Sequence, residues 1–204
     1  MNILEINNLT IYYKRKAKRQ DIIKNISFNI KNGELVALIG KSGTGKTTLA
    51  KTILGLHKDY EGKINYNIKK EDIQIIFQDP YSSLNPYVDI SYIISEGMKF
   101  KTNEERDKII VESMNLVGLD TNKRFCFPHE FSGGERQKIA IARAIIRNPK
   151  LIIADEITSS IDYHSKIMII DLLRDLQMKN SFAAIVISHD LEFINKLTNK
   201  IIKI

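Results

Sequence analysis

An apolar run, Leu35 to Ile39, leads straight into Gly40, Lys41, Ser42, Gly43, Thr44, Gly45, Lys46, Thr47 and Thr48. These residues satisfy G-x-x-x-x-G-K-[ST] at every fixed position, and residues 46–54 read as a helix ending at Gly55. The continuous apolar run predicts a central strand of a parallel sheet, buried on both faces. A glycine-rich turn between such a strand and a helix lets backbone N–H groups curl around a polyphosphate, and the helix N-terminus adds positive potential. In that setting Lys46 can reach the terminal phosphates and the Thr47 hydroxyl can ligate Mg²⁺. An α/β chain that binds a nucleoside triphosphate is expected. Kinases and GTPases share the loop, so it does not name a family.

The rest of the chain agrees with an α/β fold. Alternation marks strands at Ile26, Phe28, Ile30 and at Ile64, Tyr66, Ile68. Thr102 and Glu105 form a capping box ahead of Ile110, Met114 and Val117 at helical spacing. A second helix starts near Ser132 and stops at Asn148-Pro149. Strand and helix then alternate again: 151–154, a helix over 163–178, 183–187, and a short helix from Asp190. We therefore expect one domain, a core of residues 1–78 and 149–204 interrupted by a mostly helical part over 79–148.

With 204 residues, 43% hydrophobic and 27% charged, the chain can bury a core without disulfides, and disorder is excluded. No apolar stretch approaches the roughly 20 residues that span a bilayer. The opening MNILEINNLT lacks the basic-then-apolar pattern of an export signal, and the single cysteine, Cys126, agrees with a reducing compartment. Cys126 reads as a small buried hydrophobe. The net charge of +7 favours an anionic partner. Its densest cluster, Lys14, Arg15, Lys16, Lys18 and Arg19, reads as a solvated turn, and no basic face with interleaved aromatics is present.

Two further segments carry chemistry. Leu151-Ile-Ile-Ala-Asp155-Glu156 is an apolar strand ending in carboxylates, which places Asp155 beside the phosphate loop as a Mg²⁺ ligand and Glu156 as a general base for water. In Phe131-Ser132-Gly133-Gly134-Glu135, Ser132 and Glu135 make a capping box, and the two glycines open backbone N–H groups to a close anion.

Here the chain resembles the ATP-binding-cassette ATPases, whose signature is usually Leu-Ser-Gly-Gly-Gln. The order Tyr13, phosphate loop, Gln78, Ser132-Gly-Gly134, Asp155-Glu156, Ser159-Ser160-Ile161-Asp162 and His189 matches that family over essentially all 204 residues. The resemblance implies a P-loop NTPase core with a mostly parallel sheet, an N-terminal antiparallel part and an inserted helical subdomain. It implies that Tyr13 (or its rival Tyr12) stacks on adenine, and that Gln78 senses Mg²⁺ and the attacking water while coupling to a membrane subunit. His189 would contact the γ-phosphate, Asp162 would line the dimer interface, and Ser132 to Gly134 would meet ATP bound to the opposite subunit.

Ile75-Ile-Phe-Gln-Asp-Pro-Tyr-Ser-Ser-Leu-Asn-Pro86 and Phe127-Pro-His-Glu-Phe-Ser-Gly-Gly134 look like the oligopeptide, dipeptide and nickel importers. Gln78–Tyr81 and Ile141–Ile145 look like the second of their two ATPase subunits. That branch implies a Mg²⁺-dependent ATPase at the cytoplasmic face of the membrane. It implies as partners a different ATPase subunit, two permeases and, indirectly, an extracytoplasmic solute-binding protein, and no nucleic acid. The alternatives are an export-pump ATPase and a soluble cassette protein. The chain departs from the family at Ile157, usually proline, at Glu135, usually glutamine, and in ending at Ile204, soon after His189.

Overall fold

The computed structural model describes residues 1–15, 18–159, 161–198 and 200–204, and not the side chains of Arg15 and Glu192. Lys16 and Ser160 thus lie outside the described residues. The strands are β1 (Asn2–Arg15), β2 (Lys18–Lys31), β3 (Leu35–Ile39), β4 (Tyr60–Tyr66), β5 (Ile73–Ile76), β6 (Leu151–Asp155), β7 (Ala183–Ile187) and β8 (Ile201–Lys203). The helices are α1 (Lys46–Ile53), α2 (Pro80–Ser83), α3 (Ile90–Ser95), α4 (Asn103–Leu116), α5 (Gly133–Ile145), α6 (Tyr163–Asn180) and α7 (Leu191–Leu197).

Two sheets result. β2, β1 and β4 form an antiparallel sheet in that order, and β5-β6-β7-β3-β8 form a parallel one. Alternate residues of each parallel strand enter opposite cores, because successive strand side chains point to opposite faces. Val36 and Leu38, with Leu151, Ile153 and Ile185, pack against α1 and the antiparallel sheet. Ala37, Ile152, Ala154 and Val186 pack on the other side against α3, α5, α6 and α7. Both faces are covered, so these strands read as unbroken apolar runs. Among the described residues no helix is long and apolar enough to cross a membrane.

Several local expectations shift. Lys14, Lys18 and Arg19 belong to paired strands rather than a turn, with Lys14 opposite Arg19 and Tyr13 opposite Gln20. Arg19 is held there by ion pairs to Asp21 and Glu61, which bind it to β2 and to the far strand β4. α1 ends at Ile53 with Gly55 turning at φ 75°, β4 ends before Ile68, and α5 ends at Ile145, short of Asn148. At α4 only half of the box forms. Thr102 Oγ1 accepts from Glu105 N at 3.1 Å, but the Glu105 carboxylate accepts from Lys101 N, one residue earlier. Cys126 is half-buried against the core, and burial pushes its thiol pKa up.

Candidate nucleotide site

The phosphate loop leaves β3 at the sheet's carboxyl edge, where open parallel sheets bind ligands. Gly45 is the N-cap of α1 at φ 99°, a left-handed conformation that suits glycine, and a Cβ there would meet Ile22 Cγ2 at 2.5 Å. α1 has no side-chain cap and no acid in its first turn, so the loop and helix start keep their N–H groups and positive end for an anion. Lys46, 5% exposed, donates from Nζ to the carbonyls of Gly40 and Lys41, each at 2.9 Å. The lysine therefore sits inside the curl of its own loop.

β6 delivers Asp155 to the same edge. It is 2% exposed, it is hydrogen-bonded with Thr47, and its Oδ1 has no partner. Burial and the neighbouring Glu156 raise its pKa, while Thr47 and Lys46 oppose the rise. A buried, half-satisfied carboxylate beside a hydroxyl is a donor set that suits Mg²⁺, a hard cation bound by one or two protein oxygens plus phosphate. Among the described residues no cluster of three or more His, Cys, Asp or Glu could cage a metal.

Glu156 follows at φ 46°, uncommon for a residue with a side chain. Its N–H donates to Ile187 O at 2.9 Å, which ties it to the adjacent strand β7. Three groups converge on its carboxylate: Gln78 Nε2 donates to Oε2 at 3.3 Å, His189 Nδ1 lies 3.7 Å from Oε2, and Lys46 Nζ lies 3.9 Å from Oε1. Gln78, Glu156 and His189 lie just past the ends of β5, β6 and β7, and Lys46 opens α1. The structure thus joins Lys46, Thr47, Gln78, Asp155, Glu156 and His189 in one place.

Tyr13 joins the edge of this group: its hydroxyl lies 3.2 Å from Thr48 Oγ1, and the residue is 41% exposed. Tyr12, the rival, has the Arg19 guanidinium 4.1 Å from its ring centroid. His57 makes a ring contact with Tyr13 that the sequence did not single out, since nothing in its local pattern distinguishes it.

The signature opens α5, and Gly133 lines a smaller pocket together with Gln78. Ser132 caps α5 and forms the expected box: Ser132 Oγ accepts from Glu135 N at 3.3 Å, and Glu135 accepts from Ser132 N at 2.9 Å. That N–H, more than any other group, holds the Glu135 carboxyl below its usual pKa. Asp162 caps α6 through Ser165, and a Cβ on Gly134 would meet Ser165 Oγ at 3.2 Å. Small residues let these two helix starts approach. A groove of about 710 Å³ runs from Thr47 and Asp155 past Gln78 to Arg143, Arg147 and Glu96.

Residues 23–159 match the ABC transporter family. The chain belongs to that family. The oligopeptide transport ATP-binding protein OppF of Streptococcus pyogenes serotype M1 is 38% identical over 217 residues, covering 98% of this chain and 71% of that protein. The dipeptide transport ATP-binding protein DppF of Lactococcus lactis subsp. cremoris is 37% identical, covering 98% and 70%. The ATP-binding cassette MJ0796, solved as a dimer in a post-hydrolysis state with ADP and Pi, superposes with a TM-score of 0.84 at 28% identity, covering 98% and 94%. This ABC chain is an ATP-hydrolysing subunit, peripheral to the membrane on its cytoplasmic side.

Proposed function

We propose that this ABC subunit energises the import of peptides, with its ATP sites formed between its own phosphate loop and the signature of a second, different ATPase subunit. The relatives named for oligopeptide and dipeptide transport support peptides over nickel complexes as cargo. The observation that carries the catalytic part is the convergence of Gln78, His189 and Lys46 on Glu156, next to the Asp155–Thr47 pair.

Glu156 takes the proton of the attacking water as general base. Gln78 orients that water and His189 holds the γ-phosphate, while Lys46 meets the phosphates from the loop side. Thr47, Asp155 and Gln78 would hold Mg²⁺, which when bound would supply positive charge toward the phosphates. Tyr13 stacks on the adenine, and Gly40 to Thr48 surround the phosphates. Ser132, Gly133 and Gly134 meet the ATP of the other subunit, with Asp162 at the joint between them.

Residues 79–148 form a helical subdomain hinged on a core of 1–78 and 149–204. The groove between Gln78 and Arg143 seats a permease, so a shift of Gln78 during the ATP cycle is felt by the membrane partner. Two permeases and an extracytoplasmic solute-binding protein complete the system. Reconstitution of the cognate complex in liposomes, with peptide uptake measured against ATP hydrolysis, tests this reading. Hydrolysis stimulated by the solute-binding protein loaded with peptide, and not with nickel complexes, is expected. Stimulation by nickel complexes alone would transfer the cargo assignment.

A further inference from the structure

Tyr13 is held at both ends. Its hydroxyl meets Thr48 Oγ1 at 3.2 Å, and its ring makes a T-shaped contact with the His57 imidazole, with centroids 5.0 Å apart and planes at 72°. His57 Nε2 lies 3.1 Å from the carbonyl oxygen of Tyr12 and 3.2 Å from that of Asp59. Carbonyls only accept, so Nε2 carries a proton and donates to both, which assigns the ring's tautomer by its partners. Tyr12 N in turn donates to Asp59 O at 3.1 Å. The imidazole is thereby fixed where the end of β1 meets the turn that enters β4.

A stacking aromatic free to swing about its side-chain torsions must be ordered when its ligand arrives, and that ordering weakens binding. A Tyr13 ring tethered at its hydroxyl and braced by His57 has met much of that cost beforehand. Tyr12 does not take this part, because Arg19 covers its ring.

We propose that His57 is a positioning residue for the nucleobase: it braces Tyr13 in the orientation that stacks on the base of a bound purine nucleotide. It acts on base affinity and not on the phosphates. The inference rests on the reading of Tyr13 as the base-stacking residue.

Calorimetric titration with MgATP and with magnesium tripolyphosphate, which has no base, tests it on the full chain. The set is wild type, His57→Ala, His57→Gln, Tyr13→Ala and the double variant His57→Ala/Tyr13→Ala. His57→Gln keeps a donor for the two carbonyls and removes the ring, so it guards against a variant that merely misfolds. His57→Ala and His57→Gln are each expected to weaken MgATP about 3- to 10-fold, the span corresponding to ordering one side chain, and to leave tripolyphosphate unchanged. The double variant is expected to bind MgATP no more weakly than Tyr13→Ala, since the brace has no function without the ring it holds. Additive losses, equal losses for both ligands, or wild-type MgATP affinity in His57→Gln would overturn the role of His57 while leaving Tyr13 in place. Full MgATP affinity in Tyr13→Ala would remove the stacking reading itself, and the brace with it.

Discussion

Gln78 and Glu156, 78 residues apart in the chain, meet side chain to side chain at 3.3 Å, with the amide donating to the carboxylate. Gln78 also lines the groove that runs toward Arg143, so one side chain touches both the proposed general base and the proposed permease seat. Gln78→Ala is expected to lower stimulated hydrolysis at least 10-fold in the reconstituted complex and to change ATP affinity less than 3-fold. A collapse of affinity with coupling intact would remove this role.

Glu156→Gln keeps the size and the hydrogen-bonding reach of the side chain but cannot take a proton. Loss of a general base costs about 10²–10⁴ in rate. Single-turnover hydrolysis is expected to fall by that factor while ATP still binds. Turnover within a few-fold of wild type would assign the base elsewhere.

Lys46 donates to two loop carbonyls, and in the proposed site it also meets phosphate. Lys46→Ala therefore removes a charge-assisted contact to the nucleotide and also leaves the Gly40 and Lys41 carbonyls without that donor. We expect ATP affinity to fall at least 10-fold by equilibrium titration, and the nucleotide-free protein to melt lower, by roughly 2–4 °C per kcal/mol lost for a chain of this size.

Asp155 gives a pH signature. Its folded pKa is raised, chiefly by burial and then by Glu156. Between the ordinary carboxylate value and that raised one, the unfolded chain has released a proton that the folded chain retains, so this group's contribution to stability falls as pH rises through the window. Above it, the ionised carboxylate is a standing cost. Asp155→Asn is expected to raise the melting temperature at neutral pH without Mg²⁺, to flatten this pH dependence, and to abolish Mg²⁺-supported hydrolysis. A variant that melts lower at every pH would show that the carboxylate stabilises the fold.

Ser132 tests the composite site. Ser132→Arg places a bulky cation where the partner's nucleotide would lie, and loss of the cap costs about 1 kcal/mol of stability. Sedimentation with ATP is expected to show wild type pairing with its cognate subunit, and hydrolysis rising above either chain alone. The variant is expected to lose both effects and keep ATP binding. Full activity as a homodimer would exclude the heterodimer.

Much of this was legible in the linear order of residues. The phosphate loop, the apolar strand ending in Asp155-Glu156, and Ser132 with Glu135 are local, because each depends on a turn, a strand or a helix start only a few residues long. Helix ends were less legible. α5 stops at Ile145 rather than at Asn148-Pro149, since Asn148 turns left-handed at φ 47° and its N–H closes a tight turn onto Ile145 O at 2.8 Å. The basic cluster read as a turn because charge suggests solvent, whereas pairing of Lys14 with Arg19 and the bonds of Arg19 to Asp21 and Glu61 extend the strands to it.

By itself the sequence determined which backbone could cradle a phosphate and which carboxylates could end beside it, because spacing and period are properties of a single segment. Only the tertiary structure decided that Gln78, Glu156 and His189 share one carboxylate, since that follows from β5, β6 and β7 lying side by side. It also set Arg19 against the Tyr12 ring and brought His57 to Tyr13. Contacts of this kind arise from strand order and from which ring a cross-strand arginine covers, and neither leaves a period in the chain.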